Sequence, residues 1–130
     1  MLSRADMVGS WAGLPVPWDA NLELDEQLYR KNLGRTCAAG APGIYTAGST
    51  GEFYAMEFDE WKLITRVTVE ECRKAGVPVM IGITSTYTLG AQRRAAYAAE
   101  LGAEPEVTIL PQWLLRLAGL FSPTIRQVRL

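Results

Sequence analysis

The pentapeptide GSTGE holds the side chains of this chain that are best suited to chemistry. Gly48 and Gly51 allow a tight turn whose backbone N–H groups can converge on an anion, and the hydroxyls of Ser49 and Thr50 add directed donors. A carboxylate or a phosphate would fit. The spacing is not that of a nucleotide-binding P-loop, because Glu52 stands where that loop needs a lysine. A plain strand-to-helix turn, with both hydroxyls satisfying local backbone groups, explains the motif equally well.

The residue types that the chain lacks exclude several classes of enzyme. It has 130 residues and no histidine, so His-dependent serine and cysteine hydrolases and most zinc enzymes would have no general base or ligand. Catalysis must use Lys, Tyr, carboxylates, hydroxyls or backbone amides, and we expect neither a metal nor a cofactor. Cys37 and Cys72 have no metal-like or redox-like spacing and are predicted to be buried free thiols.

The charge balance and the apolar runs exclude two classes of partner. The 13 basic and 14 acidic side chains are interspersed and give a formal net charge of −1, which provides no basic face for nucleic acid or an anionic membrane. The longest apolar runs, such as residues 77–83, are too short to cross a bilayer, and the N-terminal residues lack the apolar core of a signal peptide. We expect one soluble, cytoplasmic domain.

Apolar segments alternate with amphipathic segments along the chain, which predicts a repeat of strand and helix. Four strands are predicted, at residues 8–16, 43–47, 77–83 and 106–110. Three helices are predicted to begin near Asp25, Glu57 and Thr88 and to stop near Gly40, Gly76 and Gly102. The order gives an α/β fold with a parallel sheet, and the loops after the strands meet at its carboxyl edge. The sheet is either open or the first half of a (β/α)₈ barrel, which needs about 250 residues when complete.

Helical spacing predicts which face of each helix is buried. The first helix should bury Tyr29, Leu33, Thr36 and Cys37. The second should bury Trp61, Ile64, Thr68, Cys72 and Ala75, with Met56 and Trp61 as a hydrophobic staple and Glu60 as the capping carboxylate. The third is rich in alanine, with a predicted inner cluster of Leu89, Gln92, Ala95, Ala96 and Ala99.

Several motifs follow one another at a familiar spacing. They are PVPWD, LELD, AGAPGIY, GSTGE, EFDEW, GVPVMIGI, LGA and LPQW. Through them the chain resembles the dihydrodipicolinate synthase and N-acetylneuraminate lyase family of Schiff-base lyases over roughly residues 9–113. The resemblance implies that residues 1–113 form the first half of a TIM (β/α)₈ barrel. Residues 114–130 depart from the family pattern and are expected to be a disordered or irregular tail.

The resemblance also implies roles for the GSTGE loop. In that family, the hydroxyl pair of this motif grips the carboxylate of a 2-keto acid, usually pyruvate, and the first hydroxyl belongs to a proton relay. Ser49 and Thr50, with Gly48 and Gly51, are therefore expected to bind the carboxylate, and Ser49 to take part in the relay. Amides and hydroxyls can hold a carboxylate while its ketone is presented to an amine. Glu52 is interpreted as a helix-start or packing residue, and the neighbouring Tyr45 as a strand packing residue.

Two departures from the family pattern bear on activity. The imine-forming lysine of the family lies on the sixth strand, and the sequence ends before that strand and before the fifth-strand tyrosine. Lys31, Lys62 and Lys74 fall in predicted helices and are interpreted as solvated charges, not as desolvated nucleophiles. Trp113 stands where many relatives have a tyrosine that enters a neighbouring subunit's site, and an indole cannot shuttle protons as a phenol does. Trp113 is assigned to the pocket, to a dimer contact or to core packing.

Three functions stay open from the sequence. The first is an aldolase-type lyase acting on a small 2-keto acid such as pyruvate, of which this chain is a truncated or frame-shifted and inactive N-terminal half. The second is a non-catalytic half-barrel that binds a carboxylate or phosphate or self-associates, because its sheet edges and inner face are uncovered; a homo-oligomer is expected. The third is an open, flavodoxin-like sheet that binds a phosphate at GSTGE.

Overall fold

The computed structural model describes residues 8–103. Strands and helices alternate along them as β1 (Ala12–Gly13), α1 (Glu26–Ala38), β2 (Ile44–Thr46), α2 (Phe58–Ala75), β3 (Val79–Ile81) and α3 (Thr88–Glu100). The predicted repeat of strand and helix is confirmed for this part of the chain. The predicted fourth strand and the predicted boundary between a half-barrel and an irregular tail at residue 113 lie outside the described residues.

The three strands form one parallel sheet in the order β1-β2-β3. Ala12 lies opposite Ile44, and Ile44 lies opposite Val79. Helix α2 packs against both α1 and α3, so successive right-handed crossovers place the helices in one outer layer. A flavodoxin-like sheet would place β1 between β2 and β3, with helices on both faces. The open flavodoxin-like alternative is therefore wrong, and the order is that of the opening strands of a barrel.

All three strands are shorter than the sequence predicts, and the backbone explains why. Beyond β1, Pro15 and Pro17 have no N–H to donate to a ladder. The ladder of β2 ends where Ala47 adopts a left-handed conformation with φ 55°. Leu14 and Val16 nevertheless belong to the core. The apolar pattern therefore predicted correctly which segments are buried. It overestimated the length of the strands, because a buried residue need not take part in the hydrogen-bonded ladder.

Helix α1 begins and packs as predicted. The Asp25 side chain caps it by accepting a hydrogen bond from the N–H of Leu28 at 2.9 Å, which satisfies a donor at the helix start. Tyr29, Leu33 and Cys37 are buried. Thr36 is half-buried, and Cys37 and Cys72 are buried free thiols, as expected.

Helix α2 carries the largest fully buried side chain among residues 8–103. The N–H of Glu57 donates to the Glu60 carboxylate at 2.7 Å, which confirms Glu60 as the capping residue. Gly76 closes the helix with φ 67°. The buried face contains every predicted residue except Ala75, which is exposed beside the C-cap. Trp61 is fully buried, and its indole N–H donates to the carbonyl of Gly82 at 3.1 Å.

The predicted inner face of α3 is wrong for four of its five residues. Only Ala95 is buried, while the exposed residues are Leu89, Gln92, Ala96 and Ala99. The face that packs inward consists of Gly90, Ala91, Arg94, Ala95 and Ala98. Alanine occurs on all sides of this helix, so it gives no reliable periodicity. The guanidinium of Arg94 fixes the rotation instead, since it lies 5.3 Å from the centre of the Trp61 ring and donates to the carbonyl of Thr84.

A chain of three buried hydroxyls joins α1, β2 and α2. The Thr68 hydroxyl donates to the carbonyl of Ile64 at 2.7 Å. Its oxygen can therefore accept from Tyr29 at 3.0 Å, and Tyr29 in turn accepts from Thr46 at 2.8 Å. Burial raises the pKa of the Tyr29 phenol, so it stays protonated. Every hydroxyl of this chain has a partner, which is what a dry interior requires.

Candidate active site

The GSTGE loop follows β2 directly, at the carboxyl edge of the sheet. Ser49 and Thr50 are exposed, while Gly48 and Gly51 are buried beneath them. The N–H of Gly51 donates to the carbonyl of Gly48 at 3.1 Å, and the N–H of Glu52 donates to the carbonyl of Ser49 at the same distance. These two N–H groups hold the turn together. Within residues 8–103, the N–H groups of Ser49 and Thr50 donate to no backbone carbonyl, so they and the two hydroxyls are the donors left for a ligand.

The loop lies across the end of β1. A Cβ added to Gly13 would lie 3.6 Å from both Cβ and Oγ1 of Thr50. A Cβ on Gly51 would lie 3.3 Å from the carbonyl oxygen of Leu14 and from the N of Ala47. Glycine at 51 therefore lets the turn approach the backbone of both strands. The exposed side chain of Thr50 therefore lies beside the end of β1, at the edge of the sheet.

Two non-glycine residues in left-handed conformations bracket the loop. Ala47 has φ 55° and Glu52 has φ 52°, and such values are uncommon for residues with a Cβ. Glu52 accepts a hydrogen bond from the indole N–H of Trp18 at 3.3 Å. Helix α2 starts only at Phe58, so the interpretation of Glu52 as a helix-start residue is wrong, and its packing interpretation is confirmed. Its carboxylate anchors the end of the loop to the segment after β1.

Tyr45 is the site residue whose position the sequence did not reveal. Its ring packs against Gly48, where a Cβ would overlap it, so it does pack along the strand as interpreted. Its hydroxyl, however, reaches the carboxyl edge, because a Cβ on Gly82 would lie 2.9 Å from that oxygen. Partial burial raises the pKa of the Tyr45 phenol. Gly48 and Gly82, which follow β2 and β3, leave the space that the Tyr45 ring and hydroxyl occupy. The sequence shows both glycines, but only the folded sheet brings them together.

A second polar loop, at residues 84–86, follows β3 at the same edge, as predicted. Thr84 is buried, Ser85 is half-buried and Thr86 is exposed. Together with the residues just after GSTGE and the start of α3, this loop lines a cleft of about 250 Å³. Its aromatic walls are Phe53, Tyr54, Phe58 and Tyr87. Burial lowers the pKa of Arg94 at the base of this cleft.

No described residues form a metal site or a membrane span. In the part of the chain at residues 8–103, no three His, Cys, Asp or Glu side chains converge in a way that could hold a metal ion. Among the helices described, none combines the length and the apolar character needed to cross a membrane.

Comparison with known proteins identifies the family. The model of the dihydrodipicolinate synthetase family matches residues 6–116. The chain belongs to this family. Its parallel strands and outer helices are the first part of the TIM-barrel fold of the family's solved structures. It is similar to N-acetylneuraminate lyase from Mycoplasma synoviae, with a TM-score of 0.73 and 21% identity over 78% of this chain and 35% of that one. It is also similar to dihydrodipicolinate synthase from Bacillus clausii, with a TM-score of 0.66 and 29% identity over 72% and 31% of the two chains.

Curated proteins that are similar to this chain include two with different names. A probable 5-dehydro-4-deoxyglucarate dehydratase from Bradyrhizobium sp. (strain ORS 278) is 32% identical over 76% of this chain and 31% of its own length. A 4-hydroxy-tetrahydrodipicolinate synthase from Rhodopseudomonas palustris (strain BisA53) is 33% identical over 81% of this chain and 35% of its own length. The chain thus spans about a third of the length of the curated relatives that it matches.

The lysines of this family member lie away from the GSTGE loop. All three are on α1 and α2. Lys31 is exposed, Lys74 forms an ion pair with Glu71 at 2.8 Å, and Lys62 forms one with Asp59 at 2.5 Å. The hydrogen bond that Lys62 donates to Asp59 raises the pKa of Lys62, whereas a nucleophilic amine needs a lowered one. Trp113 lies outside the described residues, so its assignment to the pocket, a dimer contact or the core stays a prediction.

Proposed function

We propose that this chain supplies the carboxylate-binding part of an aldolase-type lyase that forms a Schiff base with pyruvate or a similar 2-keto acid. The observation that carries the proposal is the pair of exposed hydroxyls, Ser49 and Thr50, held over the carboxyl edge of a parallel sheet by a buried glycine turn. Catalytic groups of TIM-barrel enzymes lie at this edge. Both named relatives act on or make carboxylates, which supports an anionic ligand.

The geometry suggests how the loop would act. The Ser49 and Thr50 hydroxyls and their N–H groups would donate to the carboxylate and fix the neighbouring ketone over the centre of the sheet. Held there, the ketone is presented to an amine without losing further translational freedom. The Ser49 hydroxyl can both accept and donate a proton, and we assign it to the relay that serves imine formation.

The attacking amine is not one of the lysines of this chain. Each lies on an outer helix, where Lys62 and Lys74 form ion pairs and Lys31 is exposed to solvent. We therefore propose that the 130-residue chain alone binds a 2-keto acid but forms no imine with it. Borohydride reduction in the presence of pyruvate should leave its intact mass unchanged. A stable adduct in the mass spectrum would show that one of the three lysines is nucleophilic after all.

Ligand titration tests the carboxylate site directly. Pyruvate would be added to the 130-residue chain while its two-dimensional amide NMR spectrum is recorded. We expect saturable shifts at residues 48–51, and a double variant, Ser49→Ala with Thr50→Val, should bind roughly tenfold or more weakly, since each lost donor faces a charged acceptor. Thr86→Val is the matched control, because it removes an exposed hydroxyl from the neighbouring loop. Absence of binding to the unaltered chain, or equal binding by the double variant, would contradict the proposal.

A second proposal, a binding module that self-associates, rests on a different observation. Three exposed aromatic side chains line the cleft beside the GSTGE loop, namely Tyr54, Phe58 and Tyr87, and Leu89 is exposed two residues after Tyr87. Apolar surface of this kind commonly marks a contact between subunits. Light scattering coupled to size-exclusion chromatography should then report a homo-oligomer, and Leu89→Glu should shift it towards a monomer. A monomer at high protein concentration would rule this proposal out.

A further inference from the structure

Tyr45 lies on the face of β2 that the helices do not cover. In a strand, neighbouring residues point to opposite faces. Thr46 points to the outer layer, where it bonds to Tyr29 of α1. Tyr45 therefore points to the inner face, in register with Gly13 of β1 and Met80 of β3. The inner face of a barrel leads to the carboxyl edge at which the GSTGE loop is found.

Two glycines hold the Tyr45 phenol in place at that edge. The positions that a Cβ would take on Gly48 and Gly82 lie 3.0 Å and 2.9 Å from the phenol oxygen. A Cβ would also overlap the Tyr45 ring at position 48 and the carbonyl of Ala47 at position 82, so both residues must be glycine. Gly82 is itself fixed, because its N–H donates to the carbonyl of Thr46 at 2.9 Å and its carbonyl accepts from Trp61. The phenol oxygen is thus fixed between the end of β3 and the first residue of the carboxylate turn.

The Tyr45 hydroxyl has donor capacity that the described structure does not use. Among residues 8–103 it forms no hydrogen bond, in contrast to Tyr29, which forms two. The side chain is half-buried and its pKa is raised by that burial, so the phenol is a protonated donor at neutral pH. A fixed, partly desolvated phenol that faces an anion site forms a charge-assisted hydrogen bond.

We infer that the Tyr45 hydroxyl is a further hydrogen-bond donor to the carboxylate held by Ser49 and Thr50. This inference rests on the proposed function, because it assigns a third side chain to the same ligand. It makes Tyr45 a binding residue in addition to a packing residue. The ring fills the space between two glycines, and the hydroxyl at its end completes a set of donors supplied by one strand and the loop that follows it.

Tyr45→Phe in the 130-residue chain tests the assignment. The substitution keeps the ring between its glycines and removes only the oxygen. Pyruvate and propionate would be titrated separately by NMR, because propionate has the carboxylate but no ketone. We expect Tyr45→Phe to weaken both ligands by the same factor, roughly tenfold. Tyr54→Phe is the matched control, since this tyrosine is exposed two residues after the GSTGE loop and packs edge-on against Phe53.

The outcomes separate this inference from the proposed function. If the unaltered chain binds pyruvate and Tyr45→Phe binds it equally well, the inference fails and the Ser49–Thr50 site stands. If only pyruvate is weakened, the phenol contacts the ketone, and the carboxylate assignment is overturned. If the unaltered chain binds neither ligand, the proposed function fails first. A thermal unfolding curve for Tyr45→Phe that matches the unaltered chain shows that any loss of affinity comes from the missing oxygen.

Discussion

Thr46 and Tyr45 are neighbours on β2, yet their hydroxyls have opposite surroundings. Thr46 is 1% exposed and donates into a closed chain of three hydroxyls between strand and helices. Tyr45 is half-exposed and bonds to no residue in the described part of the chain. The difference follows from the two-residue period of a strand, which sends alternate side chains to the helical layer and to the barrel interior. One three-residue strand thus divides its polar groups between stability and binding.

The two faces are joined through Trp61. Its indole is buried in the helical layer, but its N–H holds the carbonyl of Gly82. The Tyr45 hydroxyl lies against the same glycine, 2.9 Å from the position that a Cβ would take. The packing of Trp61 in the helical layer therefore helps to fix the position of Tyr45 on the inner face. Substitutions on the helical face and on the inner face of the sheet should show whether the first serves stability and the second serves binding.

The largest effect is expected at Trp61. Trp61→Ala should lower the free energy of unfolding by about 3–5 kcal/mol, because it leaves a large cavity and an unpaired carbonyl. Urea unfolding followed by circular dichroism measures the change. Phe58→Ala is the matched control: this ring stacks on Trp61 at 5.9 Å but is 37% exposed, so a much smaller loss is expected. Equal losses at the two sites would mean that Trp61 is not the centre of the core.

Tyr29→Phe should come next, with a loss of about 1–3 kcal/mol. The change leaves the Thr46 hydroxyl buried with no acceptor, and a buried unpaired donor is costly. The same removal of one oxygen at Tyr45 should change the free energy of unfolding by less than about 0.5 kcal/mol. The two Tyr-to-Phe variants, unfolded in urea under one set of conditions, compare the two faces directly. If Tyr45→Phe proved the more destabilising, the division between the faces would be wrong.

The two hydroxyls of the GSTGE loop should contribute as little to stability as the hydroxyl of Tyr45. Ser49→Ala and Thr50→Val should each change the free energy of unfolding by at most about 0.5 kcal/mol, because both side chains are exposed. The melting temperature of each variant gives this change. A large loss of stability would indicate that the hydroxyls serve the turn itself, as in the plain strand-to-helix interpretation of the motif.

The smallest effect concerns pH and the charged contact between α1 and α2. Arg30 donates to Glu70 and Glu71, each at 2.7 Å. Its hydrogen bond holds the pKa of Glu70 below the ordinary value of 4.5, and Lys74, followed by Arg30, lowers that of Glu71. A carboxyl whose pKa is lowered in the folded state stabilises the fold above about pH 4.5. This stabilisation is lost as the pH falls through the folded-state pKa.

Arg30→Gln tests this contact. The variant should be slightly less stable than the unaltered chain at neutral pH, and the two should converge in acid, once the pH has fallen below the folded-state pKa values of Glu70 and Glu71. The side chains are partly exposed, so screening by solvent and salt keeps the difference small. Urea unfolding at both pH values provides the measurement. A difference that persists at low pH would assign the role of Arg30 to packing of its aliphatic part.

Local signals in the sequence were sufficient for the order of elements and for the helix caps. Asp25, the Glu57 and Glu60 pair and Gly76 act on backbone groups only a few residues away, so the sequence shows both partners. The GSTGE loop was found in the same way. The barrel-like strand order could not be derived from periodicity alone, since an open sheet has the same repeat of strand and helix.

Features that depend on distant partners were missed. The rotation of α3 is set by Arg94 against Trp61, which lies on another helix. The carboxylate of Glu52 is used by Trp18 from the segment after β1. The placement of the Tyr45 phenol depends on Gly82, at the end of a different strand. In each case the sequence shows one partner clearly, but only the folded chain shows that the two are adjacent.

Gly82 uses its amide hydrogen, its carbonyl oxygen and the absence of a side chain for three separate contacts. A substitution there would disturb strand pairing, the docking of α2 and the position of Tyr45 in a single step. In a saturation library of this chain, selection for folding alone should therefore retain glycine at position 82 as strictly as selection for ligand binding does. Position 49, by comparison, should be restricted only by the second selection.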